Sequence, residues 1–211
     1  MPQQVRSRDR YERILEATGE LVVSGGVESV TTRAIAAAAG IPVGSLYQYF
    51  ADKESVLLAL VDRDVSELEA QVKGDLGRLP TLDVRTVVET TIRAFVTVYR
   101  RRPALVMIWL RGRTNPEVYG FCREHSHRMA RDLFELARRA GMVGDDSTGL
   151  FAELAFQVTD RLFQVAFEHS LEGDPVVIEE SIALVTSYLE THATRAGIEG
   201  VAPPESSPAR P

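Results

Sequence analysis

Between Thr31 and Lys53 the chain gathers side chains suited to the surface of a nucleic acid. Thr32, Ser45, Tyr47 and Tyr49 carry hydroxyls, Gln48 an amide, and Arg33 and Lys53 fixed positive charges. Hydroxyls, ammonium groups and the backbone donors at helix starts suit phosphate oxygens, which hold register without reading sequence. Gln48 can pair bidentately with adenine, Ser45 can bond several base edges, Val43 can touch a thymine methyl, and Arg33 can reach guanine or phosphate. Gly44 stands among them without a side chain. No nucleophile paired with a base, phosphate loop or dinucleotide fingerprint accompanies these residues, so we expect neither catalysis nor a cofactor.

Reading such a surface requires a short helix held at a set angle, and the neighbouring residues are spaced to make one. Tyr11, Ile14, Leu15, Leu21 and Val22 recur at three and four, which predicts an amphipathic first helix from about Arg10 to Val23, stopped by Gly25-Gly26. Thr31 offers an N-cap to a second helix, Thr32 to Ala39, whose alanines allow close approach. Gly40 supplies a left-handed stop, Ile41 an apolar plug, and Pro42 a preset start for a third short helix from Val43 to Tyr49. Asp52 caps a fourth helix running to about Val72, with Val56, Leu57, Leu60, Val61 and Leu68 as its stripe. Two short helices joined by a glycine turn and braced by a first have the layout of a helix-turn-helix, whose second helix enters the major groove.

The segment TTRAIAAAAGIPVGSLYQYFADKESVLLAL resembles the DNA-binding domain of the TetR family of bacterial transcriptional regulators. The elements that carry the resemblance are Thr31 or Thr32, Ile35-Ala36, Ala39-Gly40-Ile41, Gly44, Leu46-Tyr47, Tyr49-Phe50 and Lys53-Glu54. The resemblance is strong over roughly residues 8 to 60; the rest matches in length and helical pattern. It implies a homodimer on a palindromic double-stranded DNA operator, most simply a repressor, and a divergent C-terminal domain that binds a small-molecule effector. Many members carry serine at the position of Pro42 and a polar or basic residue at Val43; their absence here shifts the expected specificity toward Arg33, Ser45 and Gln48.

The expected fold class is therefore all-α. Residues 1–53 form the helix-turn-helix domain, with a flexible arm over 1–7. Residues 54–196 form a helical effector-binding and dimerisation domain whose first helix, 53–72, is the connecting lever. Beyond Gly74, Gly77 and Pro80 the pattern predicts helices at about Leu82 to Arg102, Pro103 to Arg111, Pro116 to Arg139, Thr148 to Glu172 and Pro175 to Arg195. Residues 197–211 contain four prolines and read as a disordered tail.

The helix LFAELAFQVTDRLFQVAF, from Leu150 to Phe167, is apolar around most of its circumference and needs a second burial surface. Pairing with a second copy, beside Val177, Ile178, Ile182, Val185 and Leu189 of the last helix, provides it. An effector pocket is expected among Phe95, Tyr99, Met107, Trp109, Phe121, Phe156, Asp160 and Phe163. Asp160 either meets a cationic ligand or pairs with an arginine, and Trp109 either walls the pocket or simply packs. The Arg100-Arg101-Arg102 run reads as the cationic end of a helix, or as an attraction for an anionic effector.

Composition bounds the alternatives. The chain has 211 residues, 45% of them hydrophobic and 26% charged, which suits a folded soluble protein. One cysteine, Cys122, excludes an internal disulfide framework and suits a reducing cytoplasm. No apolar run approaches the roughly 18 residues of a membrane span, so neither membrane nor secretory placement is expected. The formal net charge is −6, yet residues 1–53 balance six basic against six acidic groups, so an acidic body coexists with a neutral head. The arginines at 6, 8, 10 and 13 either follow DNA as an arm or are merely solvated. A rival reading takes Cys122, Glu124, His125 and His127 as a metal-binding or redox-sensing cluster in an all-α bundle. The spacing turns His127 away from Cys122, and no metal is expected.

Overall fold

In a computed structural model, residues 2–111 and 116–203 are described, with side chains from Arg6 onward. Helices α1 (Pro2–Gly25), α2 (Thr32–Ala38), α3 (Val43–Leu46), α4 (Lys53–Leu76), α5 (Val84–Arg101), α6 (Pro103–Leu105), α7 (Pro116–Arg139), α8 (Leu150–Ala166), α9 (Pro175–Glu190) and α10 (Arg195–Glu199) account for most of these residues. A 3-10 turn at Val27–Ser29 and a π-helical turn at Val106–Arg111 complete the helical elements. The only extended pairings among the described residues are two isolated bridges, Leu82 with Val201 and Val143 with Ala193.

Several boundaries depart from the sequence expectation for identifiable reasons. The arm expected over residues 1–7 belongs to α1 from Pro2 onward, since proline fits a first helical turn and no breaker follows before Gly19. Helix α4 passes through Gly74 to Leu76 because Val72 and Leu76 continue the buried stripe. Gln71 also donates to both carboxylate oxygens of Asp75, at 3.0 and 2.9 Å. Helix α8 stops at Ala166, because Asp174 caps α9 by accepting from the Val176 and Val177 amides across a turn that Gly173 makes at φ 74°. Residues 197–199, expected in a disordered tail, belong to α10, because Thr194 caps that helix and Gly197 is buried. Residues 204–211 lie outside the described residues.

The chain forms two compact units. The first takes residues up to Glu67 together with Val98–Arg123. Its core collects Ile14, Leu15 and Val22 of α1, Ile35 and Ala36 of α2, Leu46 of α3 and Val56, Leu57, Leu60 and Val61 of α4. Gly19 of α1 lies against α6, where a Cβ would stand in ordinary contact with that of Ala104 at 3.7 Å. Asp64 is 1% exposed within this unit and accepts from Arg63 at 2.9 Å. Arg63 also reaches Glu16 of α1 at 2.8 Å, and Arg102 donates to Glu67 at 2.7 Å. Desolvation raises the Asp64 pKa despite the two guanidinium groups. Two of the three arginines at 100–102 thus serve α4, since Arg101 also meets Glu67 at 2.6 Å.

The second unit takes Leu68–Thr97 and the chain from Glu124 on. Asp83 caps α5 through the Thr86 amide at 2.9 Å. Phe95 stacks on Phe163 with ring centroids 5.6 Å apart and meets Phe156 edge-on at 5.9 Å. The segment after α9 is stitched to two loops of the same unit. Thr194 donates from its amide to Met142 O at 2.9 Å and from its hydroxyl to Gly141 O at 2.8 Å, while Leu82 and Val201 exchange backbone bonds of 2.7 and 2.8 Å.

Candidate functional site

The first candidate surface is built on the turn between α2 and α3. Thr31 caps α2 by accepting from the Ala34 amide at 3.1 Å. At the other end Gly40, at φ 64°, closes a double hydrogen-bonded stop: its amide donates to Ala37 O at 3.2 Å, and that of Ile41 to Ala36 O at 3.0 Å. This is the Schellman arrangement, which needs a left-handed residue where Gly40 stands. Pro42 takes the N-cap position of α3, with extended backbone and no side-chain cap. The α-helical part is correspondingly short, and Tyr47 to Phe50 continue it as a turn of i−3 and i−4 bonds to Val43, Ser45 and Leu46.

Burial of Leu46 and Phe50 on the inner side orients the outer one. Phe50 stacks on Tyr11 of α1 with centroids 5.2 Å apart, and burying side chains of this size is worth ~1.5–3 kcal/mol each. Arg33, Gly44, Tyr47 and Gln48 are left exposed, with Tyr47 at 54%, while Thr32, Val43, Ser45, Tyr49 and Lys53 are half-buried. The Tyr49 hydroxyl lies 3.2 Å from Ser7 Oγ and that of Tyr47 3.3 Å from Thr32 Oγ1, tying α3 to both earlier helices. Lys53 opens α4 behind the cap formed by Asp52, which accepts from the Ser55 amide at 2.8 Å. The nine residues selected from sequence lie at the starts of α2 and α4, in α3 and in the turn that continues it.

A second candidate is a cavity of about 110 Å³ within the second unit. Phe95, Phe156 and Phe163, expected in an effector pocket, line it. Tyr99, Met107, Trp109 and Phe121 belong instead to the first unit. Asp160 accepts from Ser126 Oγ at 2.7 Å. The sequence reading missed Thr91, a cavity-lining residue 8% exposed whose hydroxyl has no hydrogen-bond partner among the described residues. The signal was present: Thr91 interrupts the buried stripe Val84, Val88, Ile92 and Phe95.

The residues weighed for a metal are drawn to separate partners. Buried His125 donates from Nδ1 toward Glu69 at 2.9 Å, and His127 meets Glu153 at 2.7 Å. Burial, reinforced by Arg128, pushes the His125 pKa down to about 4, so its ring is neutral at pH 7. Among the described residues no group of three or more histidine, cysteine or acidic side chains could hold a metal ion, and no helix is long and apolar enough to cross a membrane.

Comparison with known proteins agrees with this architecture. A model described as bacterial regulatory proteins, tetR family, matches residues 14–60, and one described as tetracyclin repressor-like, C-terminal domain, matches residues 83–189. The transcriptional repressor KstR of Rhodococcus jostii is 34% identical over 87 residues, which span 41% of this chain and 41% of that relative's length. The transcriptional regulator BetI of Rhizobium meliloti is 26% identical over 187 residues, covering 87% of this chain and 89% of that protein. Among solved structures, a TetR-family transcriptional regulator from Streptomyces coelicolor superposes with a TM-score of 0.68 at 26% identity, over 87% of this chain and 99% of that one. With its helix-turn-helix face and its all-helical second unit each matched, the chain belongs to the TetR family of bacterial regulatory proteins.

Proposed function

We propose that the chain is a cytoplasmic homodimeric repressor that holds a palindromic DNA operator and is released when a small effector enters its second unit. The observation that carries this reading is the outer side of α3 and the turn that continues it, where Tyr47 and Gln48 stand exposed while Leu46 and Phe50 are buried on the inner side. Arg33, Ser45 and Gln48 read bases, with Val43 against a methyl group. Thr32, Tyr47, Tyr49 and Lys53 hold phosphates, and Gly44 lets the backbone come close.

One reading helix contacts too few bases for tight binding, so two copies are required. The last two helices supply a pairing surface: Leu154, Val158 and Val165 of α8 and Val176 and Leu184 of α9 are exposed apolar residues. The residues first expected there, Ile178, Ile182 and Val185, are buried within their own unit. In the dimer the two reading helices must stand about 34 to 36 Å apart to enter successive major grooves. An effector that prefers another spacing by about 1–3 kcal/mol lowers operator affinity about 5- to 150-fold. Helix α4 is the lever of that change, because it runs from the first unit into the second.

The test is an electrophoretic mobility shift on the promoter of the chain's own gene at physiological salt, together with the variants Tyr47→Ala and Gln48→Ala. Tyr47→Ala weakens binding to all sequences, whereas Gln48→Ala relaxes base preference. Unchanged operator affinity in both variants refutes the assignment.

A further inference from the structure

The cavity in the second unit is bounded by α5, α7, α8 and α9, with Met142 and Val143 of the loop after α7 also lining it. None of its lining residues is ionisable, and only two, Thr91 and Thr159, carry a polar side chain. Thr159 donates its proton to Ala155 O at 2.8 Å. Thr91 Oγ1 is buried with no partner among the described residues, although the carbonyl one turn back on α5 is within reach of a helical threonine. Native cores rarely leave a buried hydroxyl unsatisfied, and such an exception calls for a ligand or a function. Water is a poor occupant, since it needs about two to four polar neighbours and an apolar cavity otherwise stays dry.

We propose that this cavity takes an uncharged, mostly apolar molecule, or the end of a longer one, whose single polar atom hydrogen-bonds with the Thr91 hydroxyl. The proposal rests on reading the second unit as the host of the effector, and it defines that effector's chemistry. Charge is excluded because no lining group can compensate it and burial of an unpaired ion is prohibitive. Size is limited as well. An apolar cavity of ~150 Å³ accepts benzene, so 110 Å³ holds about four or five heavy atoms. A larger effector inserts only its tail here.

Three probes of equal chain length test the claim on the full-length protein: 1-butanol, 1-chlorobutane and butyrate, titrated while following the methyl resonances of Ala130, Ala152 and Ala155, which line the cavity. We expect 1-butanol to shift these resonances saturably and butyrate to leave them unmoved. Thr91→Val should weaken 1-butanol about fivefold and leave 1-chlorobutane as tight or tighter, while Thr91→Ser keeps 1-butanol binding near that of the natural protein. No saturable binding of 1-butanol, equal binding of butyrate, or binding indifferent to Thr91→Val overturns the proposal.

Operator binding measured in parallel separates the two readings. Thr91-dependent binding of 1-butanol with unaltered operator affinity upholds the occupant's chemistry and removes its role as effector. An intact operator complex with no alcohol bound removes the occupant and leaves the DNA reading standing.

Discussion

The Tyr47 hydroxyl lies 3.3 Å from Thr32 Oγ1, joining the exposed tyrosine of the reading helix to the first turn of the helix before it. The pair presents two hydroxyls side by side at the positive end of α2, an arrangement suited to one phosphate oxygen. Tyr47→Phe removes one donor from that site without disturbing the core, because the ring is more than half exposed. Operator affinity should fall about fivefold, equally for all operator sequences, with the unfolding temperature unchanged. Fluorescence anisotropy on matched and mismatched operators checks this; a sequence-dependent loss contradicts it.

Gly44 and Gly40 should respond in opposite ways to alanine. A Cβ at Gly44 meets nothing within 4 Å and its φ is not positive, so the fold does not require glycine there, and alanine should stabilise α3 by about 0.5–1 kcal/mol. If a duplex approaches that backbone closely, the same change weakens operator binding. Gly40 stands at φ 64°, and alanine there should cost about 1 kcal/mol of stability. Thermal unfolding and operator titration of the two variants separate the roles.

Stability should fall as the pH drops from 6.5 toward 4. His125 is fully buried with its pKa pushed down to about 4, so below 6.5 the unfolded chain takes up a proton that the folded chain refuses. The loss from this group is at most about 3 kcal/mol and is complete only below 4. Asp64 works in the other direction: its raised pKa makes the folded chain the better proton acceptor, a contribution present at low pH and lost as pH rises through the folded value. Denaturant unfolding across this range should show a steeper acid loss in the natural chain than in His125→Gln.

A side chain at Gly197 should loosen the second unit. Its Cβ would lie near the Met142 carbonyl oxygen at a separation real atoms do not adopt, and the obstacle is backbone. Gly197→Ala should cost about 1–3 kcal/mol, read as a lower unfolding temperature. Retention of full stability would show that α10 shifts freely over the loop at Met142.

Leu154→Glu with Val158→Glu places charges on residues exposed within a single chain, so each chain should keep its fold. Sedimentation equilibrium should show a shift from dimer to monomer, and operator affinity should fall with it. A dimer that survives both changes assigns self-association to another surface.

The head was legible from the linear sequence because its determinants are local. Thr31, Gly40, Ile41 and Asp52 act on backbone groups within a few residues, so their types and spacing specify the caps, the turn and the outward face bearing Tyr47 and Gln48. The apolar stripes of α4, α5 and α8 likewise announce their helices through short-range periodicity. Long-range packing had to be seen. Asp64 and Thr91 both sit on apolar stripes as polar interruptions, but only the folded chain brings Arg63, Arg102 and Glu16 together around the first unit's charges and leaves the Thr91 hydroxyl without a hydrogen-bond partner among the described residues. The aromatic residues from 95 to 163 read as one candidate pocket in sequence, since hydrophobic type does not encode a neighbour. Tertiary packing sorted them, sending Phe95, Phe156 and Phe163 to the cavity and Tyr99 and Trp109 to the first unit. Caps and turns are decided by hydrogen bonds a few residues long, whereas a cavity is a space between helices far apart in the chain.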